Sequence, residues 1–533
     1  MNIAALLSAL LAAANVAPDA IRPGAIRAHV CFLADDLLEG RATGSRGHEI
    51  AARYVAAQFE ALGLDSAGSG GSYLQQVPLR RSEIVEGSSL ELVRDGRFQA
   101  LGTDSYALVP DDLHEQVELA APVAYAGYGI SAPALGYDDY AGLDVRGKVV
   151  AVLAGAPARF PNDQRAFYGS RQVKADDAAS RGAVALLFVT TPEEDARYSF
   201  ARMVALLREG TMSWVGAEDG AASLRGRAVL SRAGAEPLFA GAPRSLDQAF
   251  GDARAGKPGG FALPVQVQIR ARSRHAVVLS PNVLARLPGS DPALAKEHVV
   301  LSAHLDHLGI GPAQDGDSIY NGAFDNASGT AVLLEIARVL AETPRRPRRS
   351  ILFAGLTAEE KGLLGAEYLV HRPPVPIHDV VANLNIDMFL TLFPLRDVIA
   401  FGAEHSSLGP VAQEAAQGLG LALSPDPFPE QVIFVRSDHY AFVRQGIPAL
   451  MLSSGLLSAD SKVDGAALFR HWISTVYHSP KDDASQPMDF ESAAMVVRLY
   501  LRIARTVADM PARPRFNPGD FFGERFGATA RRP

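Results

Sequence analysis

Cysteine is nearly missing from this chain: of its 533 residues, only Cys31 carries a thiol. No intramolecular disulfide can form and no thiolate zinc site can be assembled, so any bound metal must be held by His, Asp and Glu. Long apolar runs are missing too. Past the N-terminal segment no stretch reaches the roughly 18 uninterrupted apolar residues of a membrane-spanning helix, which argues against stable membrane insertion. Nor does charge of one sign dominate the chain. The 51 Lys and Arg are interspersed with 59 Asp and Glu, for a net charge of −8, and nothing in that balance points to nucleic acid or an anionic membrane as partner.

What is present first is length, which exceeds one typical core and implies two globular units, or one large domain carrying an insertion. The N-terminus reads MNIAALLSALLAAANVAPDA, with apolar residues from Ile3 to Leu11 and then Ala12-Ala13-Ala14. Residues 1–17 therefore read as an export signal, although the usual n-region Lys or Arg is lacking, and the mature protein is expected to be periplasmic or secreted.

From Arg22 to Gly63 the pattern is helical, with Ala51, Val55, Phe59 and Leu62 on one stripe and Gly63 placed to end it. Residues 72–109 change to alternation, with Asp95-Gly96 at a hairpin position. We expect the first part of the main unit over 18–115, a mixed β/α insert over 116–275, the main part over 276–515 and a loosely held tail over 516–533. From about Asn282 strands and helices alternate. EHVVLSAHL, SILFAGL, VVANLNID, DVIAFG and PALMLSSG are candidate strands, and Leu333, Ile336, Ala337 and Leu340 mark a helix packed on them. The fold class expected is α/β: a doubly wound, mixed but mostly parallel sheet with helices on both faces, plus the smaller insert.

In such a sheet ligands bind at the carboxyl ends of the strands. The first candidate strand ends in His304-Leu305-Asp306-His307, and the loop after it carries Asp325. The second strand ends in Glu359-Glu360 and the third in Asp387; VYHSPKDD adds His478. Taken singly, each has a plain structural reading as a loop histidine, a turn former or a helix N-terminus. Their shared position at strand ends favours a metal centre. Two His and several carboxylates without sulfur suit zinc or a similar divalent ion, and five or more ligands suggest a pair of ions with one bridging carboxylate.

The stretches SAHLDHLG, NGAFDNASGTAVLLEIAR, FAGLTAEEKGLLGAEYL, NIDM, SDHYAFVRQGIPAL and VYHSPKDD, in this order, resemble the co-catalytic dizinc exopeptidases, which include bacterial secreted aminopeptidases and glutamate carboxypeptidase. The likeness covers about Asn282 to Asp509, and LADDLLEGRATGSRGHEIAARYVAAQFEALGL looks like the family's opening helices. The insert, with AYAGYGI and GKVVAVLAG, is similar to a protease-associated domain. The resemblance implies two Zn2+ ions. Asp325 would bridge them, His304 and Asp387 would complete one site, and Glu360 and His478 the other. It further implies Asp306 as the carboxylate orienting a ligand histidine, Glu359 as general base, a cis peptide at Asp325-Asn326, and Tyr477 as an oxyanion donor or a packing residue. Asp438 and His439 also match the family pattern, which implies a place near the substrate pocket or behind the ligands rather than as ligands themselves. His307, His371, His378, His405 and His471 are expected to be structural or surface residues.

The activity expected is therefore zinc-dependent removal of N-terminal residues from peptide substrates. The alternatives are a carboxypeptidase of the glutamate carboxypeptidase type, which would need an arginine cluster drawn from residues such as Arg436 or Arg444, a single-zinc glutaminyl cyclase, and a receptor-like relative without catalysis. Side-chain preference, the insert's role and the oligomeric state are not set by the sequence.

Overall fold

The computed structural model describes residues 20–217, 221 and 223–527, so the expected signal segment lies outside the described residues. The chain divides into two compact units, one formed by residues 1–77 with 279–533 and the other by Pro78–Val278.

In the first unit the apolar runs become the strands His298–His304, Ser350–Leu356, Val380–Ile386 and Ala449–Ser454, nearly all of whose residues are buried. They pair in parallel, in the spatial order 350–356, 298–304, 380–386, 449–454. Antiparallel partners flank them, Val283–Leu287 on one side and Asp397–Phe401 on the other. Parallel strands must be covered on both faces, and their alternating side chains show this. Ile351 and Phe353 join one cluster with Ile26, Val30, Leu333, Ile336, Val496 and Tyr500. Leu352 and Ala354 join another with Leu369 and Phe442. The helices Pro23–Leu33, Gly329–Glu342 and Phe490–Asp509 thus cover one face, and Leu364–His371 and His439–Arg444 the other.

The second unit has its own parallel core, with Val149–Leu153 between Val123–Tyr125 and Ala185–Val189, and Leu186–Val189 paired with Arg227–Leu230. It starts earlier than the sequence pattern suggested. The expected boundary at 116 moves to Pro78 because Ser89–Val93 pairs with Gln266–Arg270, and Tyr106–Val109 pairs with Arg227–Leu230. Pairings this distant in sequence leave no local signal.

The tail also departs from expectation. Phe521–Phe526 is a helix capped by Asp520, and Phe522 is fully buried against Phe434, with ring centroids 5.4 Å apart. Aromatic burial here outweighs the Pro- and Gly-rich composition that suggested a loose end.

Candidate metal centre

The parallel strands deliver the candidate residues to one edge. His304 ends its strand, Glu359 and Glu360 follow Leu356 by a short turn, and Asp387 follows Ile386 directly. The backbone is bent sharply next to Glu359 and Asp387 and at His478: Ala358, Met388 and His478 have φ of 56°, 46° and 53°, left-handed values that residues with a Cβ seldom adopt. The peptide bond between Asp325 and Asn326 is cis, as the resemblance implied.

These residues converge on Asp325. Its Oδ1 lies 3.2 Å from His304 Nε2, and the same nitrogen is 3.2 Å from Asp387 Oδ1. Its Oδ2 lies 3.1 Å from His478 Nε2, which is 3.4 Å from Glu360 Oε2. One carboxylate therefore faces two separate clusters of donors, one oxygen to each. Glu359 is fixed through its main chain, whose N–H donates to Asp306 Oδ1 at 3.1 Å, while Thr43 Oγ1 donates to Asp306 Oδ2 at 2.8 Å. Asp387 is held from behind: Ser437 Oγ donates to its Oδ2 at 2.5 Å, and Asn385 Nδ2 donates to Ser437 Oγ at 2.8 Å. Tyr477 stacks on the His478 ring, with centroids 3.8 Å apart.

The charges of this cluster are far from balanced. Burial pushes Glu359 well above the usual carboxylate range, reinforced by Asp387, Glu360 and Asp438. Burial acts the same way on Asp325 and Glu360, yet both end below their ordinary values, Glu360 at about 2, because His304 and His478 bond the first and His307 and His478 the second. Burial resists protonation of His304, but Asp387 and Glu359 lead the groups that hold it well above its usual value. Asp438 is fully buried, and neither of its oxygens has a hydrogen-bond partner among the described residues. So many carboxylates in a low-dielectric site call for multivalent positive charge, and an all-N,O donor set in two groups sharing one carboxylate fits a pair of divalent ions.

One histidine stands closer to the cluster than its sequence context suggests. His307, expected to be structural, is fully buried, and its Nδ1 lies 2.8 Å from Glu360 Oε1 and 3.9 Å from Asp325 Oδ2. It thus stands with Asp325 and Glu360 as a possible metal-holding group, as His304, Asp325 and Asp387 do. The doubled histidine of HLDH was the available signal, but a residue three past His304 at a strand end has no set direction. His405 packs against Phe434 and bonds Asp520, away from this cluster. Arg444 is tied to Glu367 at the surface, whereas Arg436 exerts its charge on Tyr477.

Comparison with known proteins agrees with this geometry, since residues 282–504 match the profile of Peptidase family M28. The M28 segment holds every residue of the two donor groups. The chain is 35% identical over 279 residues to a probable zinc metalloprotease of Pyrenophora teres f. teres, covering 46% of this chain and 55% of that protein. It is 27% identical over 224 residues to leupeptin-inactivating enzyme 1 of Streptomyces exfoliatus, covering 39% and 44%. The chain thus spans about half the length of these curated relatives. An aminopeptidase from Aneurinibacillus sp. strain AM-1 shares the fold, with a TM-score of 0.51 at 19% identity over 95% of this chain and 98% of that one.

Proposed function

We propose that the protein is a dizinc exopeptidase that removes N-terminal residues from peptides. The observation that carries this is the division of Asp325, whose Oδ1 is 3.2 Å from His304 Nε2 and whose Oδ2 is 3.1 Å from His478 Nε2. His304, Asp325 and Asp387 would hold one ion, and Asp325, Glu360 and His478 the other. When bound, the ions supply Lewis acidity, easing loss of a proton from water and polarising the scissile carbonyl.

The protein's own groups do the rest. Glu359 is spared from both donor groups and takes the proton of the attacking water, later delivering it to the leaving amine. Asp306 fixes the turn on which Glu359 sits, through the Glu359 N–H. The Tyr477 hydroxyl is kept protonated by burial and by Asp325 and Glu360, and stands ready to donate to a developing oxyanion.

A carboxypeptidase selecting acidic termini is less well supported, because Arg444 is engaged by Glu367 and Arg436 alone of the two acts on this site. We further propose that the protein is exported and that Pro78–Val278 is a protease-associated-like unit. The functional proposal is tested with paired free-amine and N-blocked peptides on a preparation analysed for metal. Cleavage of the free-amine set by zinc-loaded protein is expected, and cleavage of N-blocked substrates alone would contradict it.

A further inference from the structure

Arginine is among the residues least often fully buried, and when buried it is normally paired with a carboxylate. Arg41 is 1% exposed and donates instead to four main-chain carbonyls. It bonds Leu305 O at 3.0 Å, Asn321 O at 2.6 Å, Gly322 O at 3.0 Å, and Leu33 O. Three of these carbonyls belong to the chain entering and leaving the cluster, one just after His304 and two just before Asp325. On the opposite polarity of the same loop stands Asp482, also fully buried. Its Oδ1 accepts the Phe324 N–H at 2.9 Å, its Oδ2 accepts the Asp325 N–H at 3.1 Å, and its own carbonyl accepts the Ala323 N–H at 3.0 Å. The loop 321–325 is thus gripped by a cation through its carbonyls and by an anion through its amides. It also closes tightly, since a Cβ on Gly322, which has φ of 62°, would collide with the Asp325 carbonyl.

We propose that Arg41 and Asp482 are positioning residues, a charge clamp that sets the direction of the Asp325 carboxylate so that one oxygen reaches each donor group. The inference rests on the metal-binding proposal above. Neither residue touches metal or substrate; each acts through the main chain of 321–325. A bridging carboxylate tolerates little rotation, because turning it to improve one side spoils the other, and outer groups that orient ligands typically govern tenfold to hundredfold in metal affinity. Burial works against the charge on Arg41, and Asp482 first, then Asp306, Asp325 and Glu360, favour it, so Arg41 also brings positive charge towards these carboxylates.

The test uses the full chain as wild type, Asp482→Asn and Arg41→Lys. Asparagine is nearly isosteric with aspartate but offers one acceptor, so one of the two amides at 324 and 325 would face a donor. Zinc affinity is measured against a competing chelator, the visible spectrum is recorded after cobalt(II) substitution, and the melting temperature is taken without metal. The clamp predicts zinc affinity lowered about tenfold to hundredfold in Asp482→Asn with an altered cobalt spectrum. Melting of the metal-free protein should change little by comparison. Arg41→Lys, which keeps charge but loses the fork, should shift both readouts in the same direction; if it does not fold, Asp482→Asn decides alone. Wild-type affinity and spectrum in Asp482→Asn, with or without lower melting, would overturn the clamp and leave the metal site standing. A wild-type chain that binds no zinc would overturn both.

Discussion

His307 Nδ1 lies 2.8 Å from Glu360 Oε1, a contact between two buried side chains that places a third histidine beside the donor group of Asp325, Glu360 and His478. Whether His307 orients Glu360 or shares its ion, losing it should weaken one site more than the other. His307→Ala is expected to lower affinity for one zinc by about tenfold to hundredfold and leave the second near wild type. Titration against chelator resolves the two steps, and equal weakening of both would contradict the assignment.

Tyr477 stacks on His478 and keeps its proton through burial. If its hydroxyl donates to the oxyanion, Tyr477→Phe keeps the stacking and loses the donor. Turnover should then fall by about 10²- to 10³-fold with zinc content unchanged. An unaltered kcat would reduce Tyr477 to a packing partner of His478.

A pH dependence separate from the metal centre comes from His48. It is fully buried, with Nδ1 3.3 Å from Ser280 Oγ, and burial, aided by Arg41, lowers it from 6.5 to about 3. The unfolded chain binds the proton first as pH falls, so this stability is complete above about 6.5 and is lost progressively towards about 3. Melting temperature measured across this range should fall less steeply for His48→Leu than for wild type. Parallel slopes would show that His48 does not govern acid sensitivity.

Much of this site was legible in the sequence because buried parallel strands are nearly continuous apolar runs, and the polar residue that ends each run stands at the sheet's carboxyl edge. His304, Glu359, Glu360 and Asp387 announce themselves in that way. Arg41 does not, since composition rules place arginine at the surface and only the fold supplies carbonyls to receive it. His307 was visible but undirected, and Phe522 was hidden by the Pro and Gly around it. The start of the second unit at Pro78 depends on pairings across more than a hundred residues, such as Tyr106–Val109 with Arg227–Leu230.

Under the proposed function the adjacent glutamates of TAEEKGLL do different work: Glu360 would hold an ion, and Glu359 would move a proton. Zinc content and turnover measured on the same preparations of Glu359→Gln and Glu360→Gln test it most directly. Glu359→Gln is expected to keep both zinc ions and lose turnover by about 10²- to 10⁴-fold, while Glu360→Gln binds one ion at least about tenfold more weakly. Near-normal turnover in Glu359→Gln, or full zinc affinity in Glu360→Gln, would contradict the account.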